Sequence, residues 1–173
     1  VAGADEKRGL DIYFVDTDGG AATLIVTPAG ESVLIDCGNP GKRDAERIHQ
    51  AATKLAGLKA IDHFLITHWR SDHYGGAEPL PRLLPIRHFY DRGIPETLSD
   101  DKTGFPVLIG AYKKASDNKS KTLKPGDEIK LKQADGAPAV SLVCRCASGE
   151  VIAENKDAKA NPFAKEHKAK AAD

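Results

Sequence analysis

Apolar residues at the start of the chain occur in short runs that turn-forming residues separate. Segments 10–16 (LDIYFVD) and 22–28 (ATLIVTP) are rich in β-branched and aromatic residues, and two glycines lie between them. Two such runs around a glycine-containing turn predict a β-hairpin. Segment 32–38 (SVLIDCG) follows the turn-like PAGE sequence and predicts a third strand. The chain is therefore expected to open with three consecutive strands.

The hydrophobic period changes after the third predicted strand. Between residues 43 and 58 the apolar residues recur at the spacing of one helix face, which predicts an amphipathic helix. Segment 63–67 (HFLIT) is then a continuous apolar run, as expected of a strand that is buried on both faces. A strand, a helix and a second buried strand in this order indicate a layered α/β (α+β) fold.

The remaining pattern completes one domain. We expect short helices at 77–85 and 106–116, and strands at 86–91, 127–133 and 139–147. Residues 10–148 are interpreted as this domain, residues 1–9 as a flexible N-terminus and residues 149–173 as a polar tail, helical or disordered. Because the tail is rich in Ala and Lys and cannot supply much core, only the N-terminal part of a longer natural chain is expected to be represented.

Composition and charge narrow the possible classes of partner. The 173 residues carry 25 Lys and Arg against 25 Asp and Glu, so the formal net charge is zero. A neutral chain gives no strong signal for nucleic acid or anionic lipid, and no apolar run approaches the roughly 20 residues of a membrane span. A chain that starts at Val1 and continues AGA is typical of a processed export signal. A secreted or periplasmic location is therefore expected, with a cytoplasmic one left open.

The segment LITHWRSDHYGG, residues 65–76, carries the candidate chemistry. His68, Asp72 and His73 follow the buried strand at once, and ligands of α/β sheets collect where strands end. Imidazole and carboxylate ligands suit zinc, and also iron or manganese. The two glycines at 75–76 allow the backbone to turn sharply close to the site. The alternative is a chance cluster of surface His and Asp residues.

This segment resembles the His-x-His-x-Asp-His signature of the metallo-β-lactamase superfamily. LIDCG, at residues 34–38, is similar to the strand-Asp-x-Gly element of that family, and the opening resembles its competence-protein branch. The resemblance covers about residues 10–92 and implies a metallo-β-lactamase-like αββα sandwich. It also implies a metal-dependent hydrolase that holds one or two zinc ions, in which a metal-bound water attacks an ester, amide or phosphodiester of unknown substrate class.

The resemblance also assigns the site residues. It implies that His68 serves the first metal subsite, and that Asp72 and His73 serve the second. Asp72 would also be the catalytic residue that acts on the attacking water. Asp36 would brace the motif loop by hydrogen bonds behind the ligands, although an aspartate before a glycine is also a common turn cap.

Arg70 departs from the family pattern, because a histidine ligand belongs at this position. A guanidinium stays protonated and has no lone pair for a metal. Pointing inward, it would cost roughly 8 kcal/mol against a divalent ion at an effective dielectric of about 20. The family draws further metal ligands from the later part of the chain. After residue 92, this sequence has only His167 as a possible histidine ligand and no Gly-Asp turn in a suitable strand. A non-catalytic binding protein with a degenerate metal site is therefore the alternative, and a nucleic-acid-associated module is a further one.

Overall fold

The computed structural model of the protein describes residues 9–152. Its main sheet has six strands in sequence order. They are β1 (Asp11–Phe14), β2 (Thr23–Val26), β3 (Ser32–Ile35), β4 (Ile61–Leu65), β5 (Ile86–Asp91) and β6 (Lys121–Thr122). The first three strands run antiparallel, whereas β3 to β6 run parallel. The predicted α/β class and the opening hairpin are confirmed.

Helices connect the parallel strands, because a parallel neighbour can only be reached by a crossover. They are α1 (Lys42–Gln50), α2 (Ser71–Tyr74), α3 (Leu80–Leu83) and α4 (Gly104–Ala115). A π-helical turn, Ala51–Leu55, extends α1, and a 3-10 turn, Gly75–Ala77, follows α2. None of the helices in residues 9–152 has the length and apolar character of a membrane span.

The two faces of the sheet are filled differently. Alternate side chains of β2, β3 and β4, such as Leu24, Leu34 and Phe64, are fully buried in one cluster with the apolar sides of α1 and α4. On the opposite face Val33 and His63 are buried, but Phe14 of β1 is 83% exposed. Because the parallel strands all end at one edge, β3, β4 and β5 carry the residues that follow them to the same place.

The C-terminal part of the described chain forms two small sheets. One pairs β7 (Glu128–Ile129) with β8 (Leu142–Val143), and the other pairs β9 (Cys146–Ala147) with β10 (Glu150–Val151). The strands predicted at 127–133 and 139–147 are therefore much shorter than expected. In the segment 127–133 only Ile129 is buried, so pairing the rest of it as a strand would bury little apolar surface.

The outer segments of the predicted domain layout are only partly described. The predicted tail begins with β10, which is paired, and its remainder, residues 153–173, lies outside the described residues. The flexible N-terminus predicted at 1–9 lies outside them as well, except for Gly9. The helix predicted at 43–58 begins one residue earlier, at Lys42, and with its π-helical turn ends at Leu55. The strand predicted at 63–67 is β4, which lies two residues earlier, at Ile61–Leu65.

Candidate functional site

The motif loop, within the segment 65–76, lies against the end of β3 and forms backbone hydrogen bonds with it. The Asp36 amide donates to the Leu65 carbonyl (2.9 Å), and the Cys37 amide donates to the His73 carbonyl (2.7 Å). The chain packs so closely here that a Cβ atom at Gly76 would clash with the Cys37 carbonyl oxygen. The predicted need for a glycine beside the site thus has a specific cause. Backbone contacts bring Asp36 and the motif together.

Asp36 is the centre of the hydrogen bonding. Its side chain is 3% exposed, and it accepts bonds from the Thr67 amide (2.8 Å) and the Thr67 hydroxyl (2.7 Å). It also bonds the Nδ1 atom of His73 at 2.7 Å. Its backbone φ is 59°, a left-handed conformation that aspartate tolerates better than most residues. The carboxylate therefore joins the end of β3 to both ends of the motif loop.

These bonds fix the tautomer of each imidazole ring in its neutral form. An ionised carboxylate can only accept, so in the neutral ring of His73 the Nδ1 atom carries the hydrogen and Nε2 has the lone pair. The Thr67 hydroxyl donates its hydrogen to Asp36. It must therefore accept the hydrogen bond from Nδ1 of His68, at 3.1 Å. Nε2 of His68 then keeps its lone pair too. Both rings present the metal-binding nitrogen away from Asp36.

His68 and His73 lie side by side. Their ring centres are 3.8 Å apart with a 53° tilt, whereas two imidazoles on one tetrahedral zinc place their centres roughly 5 Å apart. The rings are therefore not arranged as joint ligands of one ion. Burial, and after it the neighbouring His73, lowers the pKa of His68. The neutral ring that a metal needs is favoured.

Asp72 and His73 are the pair that could share an ion after a small adjustment. Nε2 of His73 lies 3.9 Å from Oδ2 of Asp72, and both side chains reach solvent. Two ligands each about 2.1 Å from a tetrahedral zinc lie about 3.4 Å apart, so these atoms need to approach by about 0.5 Å to bind one ion. Catalytic zinc takes three protein ligands. Within residues 9–152, no group of three or more His, Cys, Asp or Glu side chains is arranged to hold a metal ion.

Arg70 lies at the outer side of the loop. Its guanidinium is 69% exposed, and its Nε atom is 4.0 Å from Oδ1 of Asp72. The side chain is thus turned towards solvent, where its charge is well hydrated, and it only approaches the carboxylate of the motif. This orientation avoids most of the repulsion that an inward guanidinium would exert on a cation.

A cleft of about 910 Å³ opens beside the motif, lined by His68, Trp69, Arg70, Arg92 and the loop 93–100. Trp69 both lines this cleft and packs edge-on against Tyr74 and Tyr112, with its Nε1 atom bonded to the Gly93 carbonyl at 2.7 Å. The indole thus both lines the cleft and packs in the core.

Thr67 was missed as a site residue by the sequence reasoning. Its hydroxyl links Asp36 to His68, yet as the last residue of an apolar run it attracts no notice. The sequence does show that Thr67 lies directly before the first histidine, at the end of a predicted strand. A hydroxyl at this position can form a hydrogen bond with a carboxylate that follows the neighbouring strand, as Asp36 does.

Comparison with known proteins decides the family. The family model described as Metallo-beta-lactamase superfamily matches residues 15–140, which is most of the chain. The chain belongs to the metallo-beta-lactamase superfamily. The family resemblance read from the motif is thereby confirmed, and with it the fold. The likeness of the opening to the competence branch stays a prediction.

The relatives of this superfamily member match over short segments. An atrochrysone carboxyl ACP thioesterase from Cryptosporiopsis sp. is 39% identical over 66 residues, which cover 38% of this chain and 20% of that protein. A metal-dependent hydrolase from Cupriavidus necator is 32% identical over 80 residues, or 46% of this chain and 27% of the relative. The chain therefore spans about a quarter or less of the length of these relatives.

Solved structures of the same superfamily are more distant. A metallo-beta-lactamase family protein from Thermus thermophilus has a TM-score of 0.45 and 16% identity, covering 71% of this chain and 48% of its own. A HARLDQ-motif mutant of the metallo-beta-lactamase from Cronobacter sakazakii has a TM-score of 0.44 and 18% identity, covering 69% and 47%.

Proposed function

We propose that this superfamily member is a metal-dependent hydrolase whose Asp72 and His73 bind a zinc ion. The observation that carries the proposal is the contact between buried Asp36 and His73, which leaves Nε2 of His73 free beside the Asp72 carboxylate. Such a carboxylate–histidine pair is the usual support of a metal-binding imidazole. It has no evident purpose on an ordinary surface.

The chain's own residues have distinct roles in this proposal. Asp36 and Thr67 hold the rings in the required tautomer, and His73 and Asp72 supply donor atoms. A bound zinc ion supplies Lewis acidity and favours deprotonation of water near neutral pH. Asp72, whose side chain is 32% exposed, can accept a proton from a water beside the motif. His68 lines the cleft next to this pair and would bind or orient the substrate there.

The bond that is cleaved is inferred from the relatives as well as from the site. The two curated relatives are called a thioesterase and a metal-dependent hydrolase. We therefore propose an ester or thioester as the substrate class, ahead of an amide or a phosphodiester. Fold alone does not choose among these, because superfolds host many reactions.

A second candidate function follows from Arg70. In a non-catalytic member, its exposed guanidinium beside Asp72 would help bind an anion in the cleft in place of a metal. The nucleic-acid-associated module has weaker support. It would depend on the lysines at 112–124, among which Lys119 already pairs with Asp117 at 2.5 Å, and it stays a prediction.

Metal content of the purified full chain tests the proposal. We expect close to one zinc per chain, and at least a tenfold weaker zinc affinity after His73→Ala. His49→Ala is the matched control, because His49 lies on α1 outside the motif, and it should bind zinc as the unmodified protein does. Zinc affinity that is equal in both variants would overturn the proposal. Absence of zinc together with anion binding that Arg70→Ala abolishes would favour the second candidate.

A further inference from the structure

A separate apolar cavity of about 360 Å³ lies between the carboxyl ends of β4 and β5 and the small sheets of the C-terminal part. Its walls are mainly apolar, from Leu65, Ile66, Leu123, Ile129, Leu142 and Val143. Leu123 and Ile129 are 6% and 3% exposed, so the inner wall is well packed. The volume falls in the lower part of the range for small-molecule sites, about 300–1,000 Å³.

The polar groups of this cavity favour an anion at its mouth. Asp91 is 1% exposed, and its carboxylate accepts bonds from the Tyr112 hydroxyl (3.1 Å), the Thr122 hydroxyl (3.1 Å) and the Gly93 amide (2.8 Å). These bonds solvate the carboxylate, whose charge remains. Arg92 and Arg145 are exposed, and neither guanidinium pairs with a carboxylate among the described residues. Two guanidinium groups against one carboxylate leave the lining of the cavity with a net positive charge.

The cavity adjoins the candidate site. Arg92 lines both the apolar cavity and the 910 Å³ cleft that contains His68. Thr67, which bonds Asp36 and His68, also lines the cavity. A ligand whose chain occupies the cavity can therefore place its polar end at Arg92, on the side of the cleft and His68.

We propose that this cavity binds the aliphatic acyl chain of the substrate, with the carboxylate of the hydrolysis product held by Arg92. The inference rests on the proposed function and narrows its substrate to esters or thioesters of medium-chain aliphatic acids. In that reaction the oxygen of water bonds to the acyl carbon, and the carbon–oxygen or carbon–sulfur bond to the leaving group breaks. The leaving alcohol or thiol takes up one proton of the water, the other proton is released to solvent, and the acid leaves as its carboxylate.

Direct binding of decanoate to the full chain, at concentrations below micelle formation, tests the cavity without requiring turnover. We expect decanoate to bind at least tenfold more tightly than acetate by titration calorimetry. Val143→Trp fills the cavity and should weaken decanoate binding at least tenfold. Val107→Trp is the matched control, because Val107 is 71% exposed on α4 and outside the cavity. It should leave the affinity unchanged.

A second variant keeps the test decisive if Val143→Trp fails to fold. Arg92→Gln lies on the exposed rim, and we expect it to weaken decanoate binding about tenfold while leaving decanol binding unchanged. Equal affinity for acetate and decanoate, or decanoate binding that neither variant changes, would overturn the inference. Hydrolysis of short and long p-nitrophenyl esters at equal rates would overturn it while leaving the hydrolase intact. Decanoate binding in a protein that holds no zinc and cleaves no ester would support the cavity and overturn the proposed function.

Discussion

The two sides of the motif loop differ sharply in how they are held. On the side of Asp36, a buried carboxylate accepts three hydrogen bonds, two from Thr67 and one from His73. On the side of Arg70, a 69% exposed guanidinium makes one contact at 4.0 Å. One side has the fixed geometry that metal ligands need, and the other has the freedom of an ordinary surface residue.

This contrast explains how a residue that cannot bind metal is tolerated inside a metal motif. Arg70 occupies a position whose side chain carries no structural bond, so its identity affects only what lies in front of the loop. His73 occupies a position that Asp36 controls, and a change there disturbs the support itself. The loop can therefore vary at position 70 while it keeps the bonds from Asp36 to Thr67 and His73.

The largest expected effect comes from removal of the support. Asp36→Ala removes three hydrogen bonds to a buried carboxylate, and each contributes about 1 kcal/mol because the exposed Thr67 and the half-buried His73 can bond water instead. We expect the free energy of unfolding to fall by about 2–3 kcal/mol, measured by guanidinium denaturation. Asp18→Ala is the control, because Asp18 has a similar φ of 52° but is exposed. A loss no greater than that of the control would show that backbone conformation, and not the hydrogen bonds, explains Asp36.

Thr67→Val tests the link between the support and His68. The change keeps the shape but removes the hydroxyl that donates to Asp36 and accepts from His68. We expect about 1 kcal/mol less stability and a shift of the His68 tautomer, visible in nitrogen-15 spectra of the imidazole. Thr67→Ser retains the hydroxyl and should restore the tautomer. If the tautomer of His68 were unchanged in the valine variant, the Thr67 hydroxyl would not determine it.

Much of the fold could be predicted from local pattern alone. The run at 86–91 coincides with β5 because its β-branched and aromatic residues favour a strand and turn residues bound it, even though Arg87 and His88 are exposed. The strands near the C-terminus could not be predicted in length. Their segments alternate as strands do, yet only pairing partners decide where such a segment is regular, and here each pairing spans two residues.

The site was predictable in its residues but not in its connections. His68, Asp72 and His73 stand out because their types and spacing suit metal binding, and Asp36 stands out beside a glycine. The bonds from Thr67 to Asp36 cross 31 positions of the chain. They exist because Ile35 and Leu65 pair in register on parallel strands. Spacing along the sequence does not contain that register.

Arg70→His tests whether the exposed side of the loop limits metal binding. The new imidazole removes a positive charge and adds the ligand type that the family has at this position. We expect zinc affinity to rise at least tenfold, about 1.4 kcal/mol, by competition with a chelating dye. Arg70→Ala separates loss of charge from gain of a ligand and should give a smaller rise. No change in either variant would mean that a shortage of other ligands, not Arg70, sets the affinity.

Arg70→Ala should have the smallest effect on stability, which is the other half of the contrast with Asp36. An exposed ion pair contributes about 0–1 kcal/mol, and the 4.0 Å contact with Asp72 is at the outer limit of such a pair. We therefore expect the free energy of unfolding to change by less than about 0.5 kcal/mol. Arg87→Ala is a matched control, because Arg87 is 56% exposed and pairs with Asp62 at a closer 3.2 Å. If Arg70→Ala lowered the free energy of unfolding clearly more than Arg87→Ala does, the Arg70 side chain would contribute to the stability of the loop. That result would contradict the contrast with Asp36.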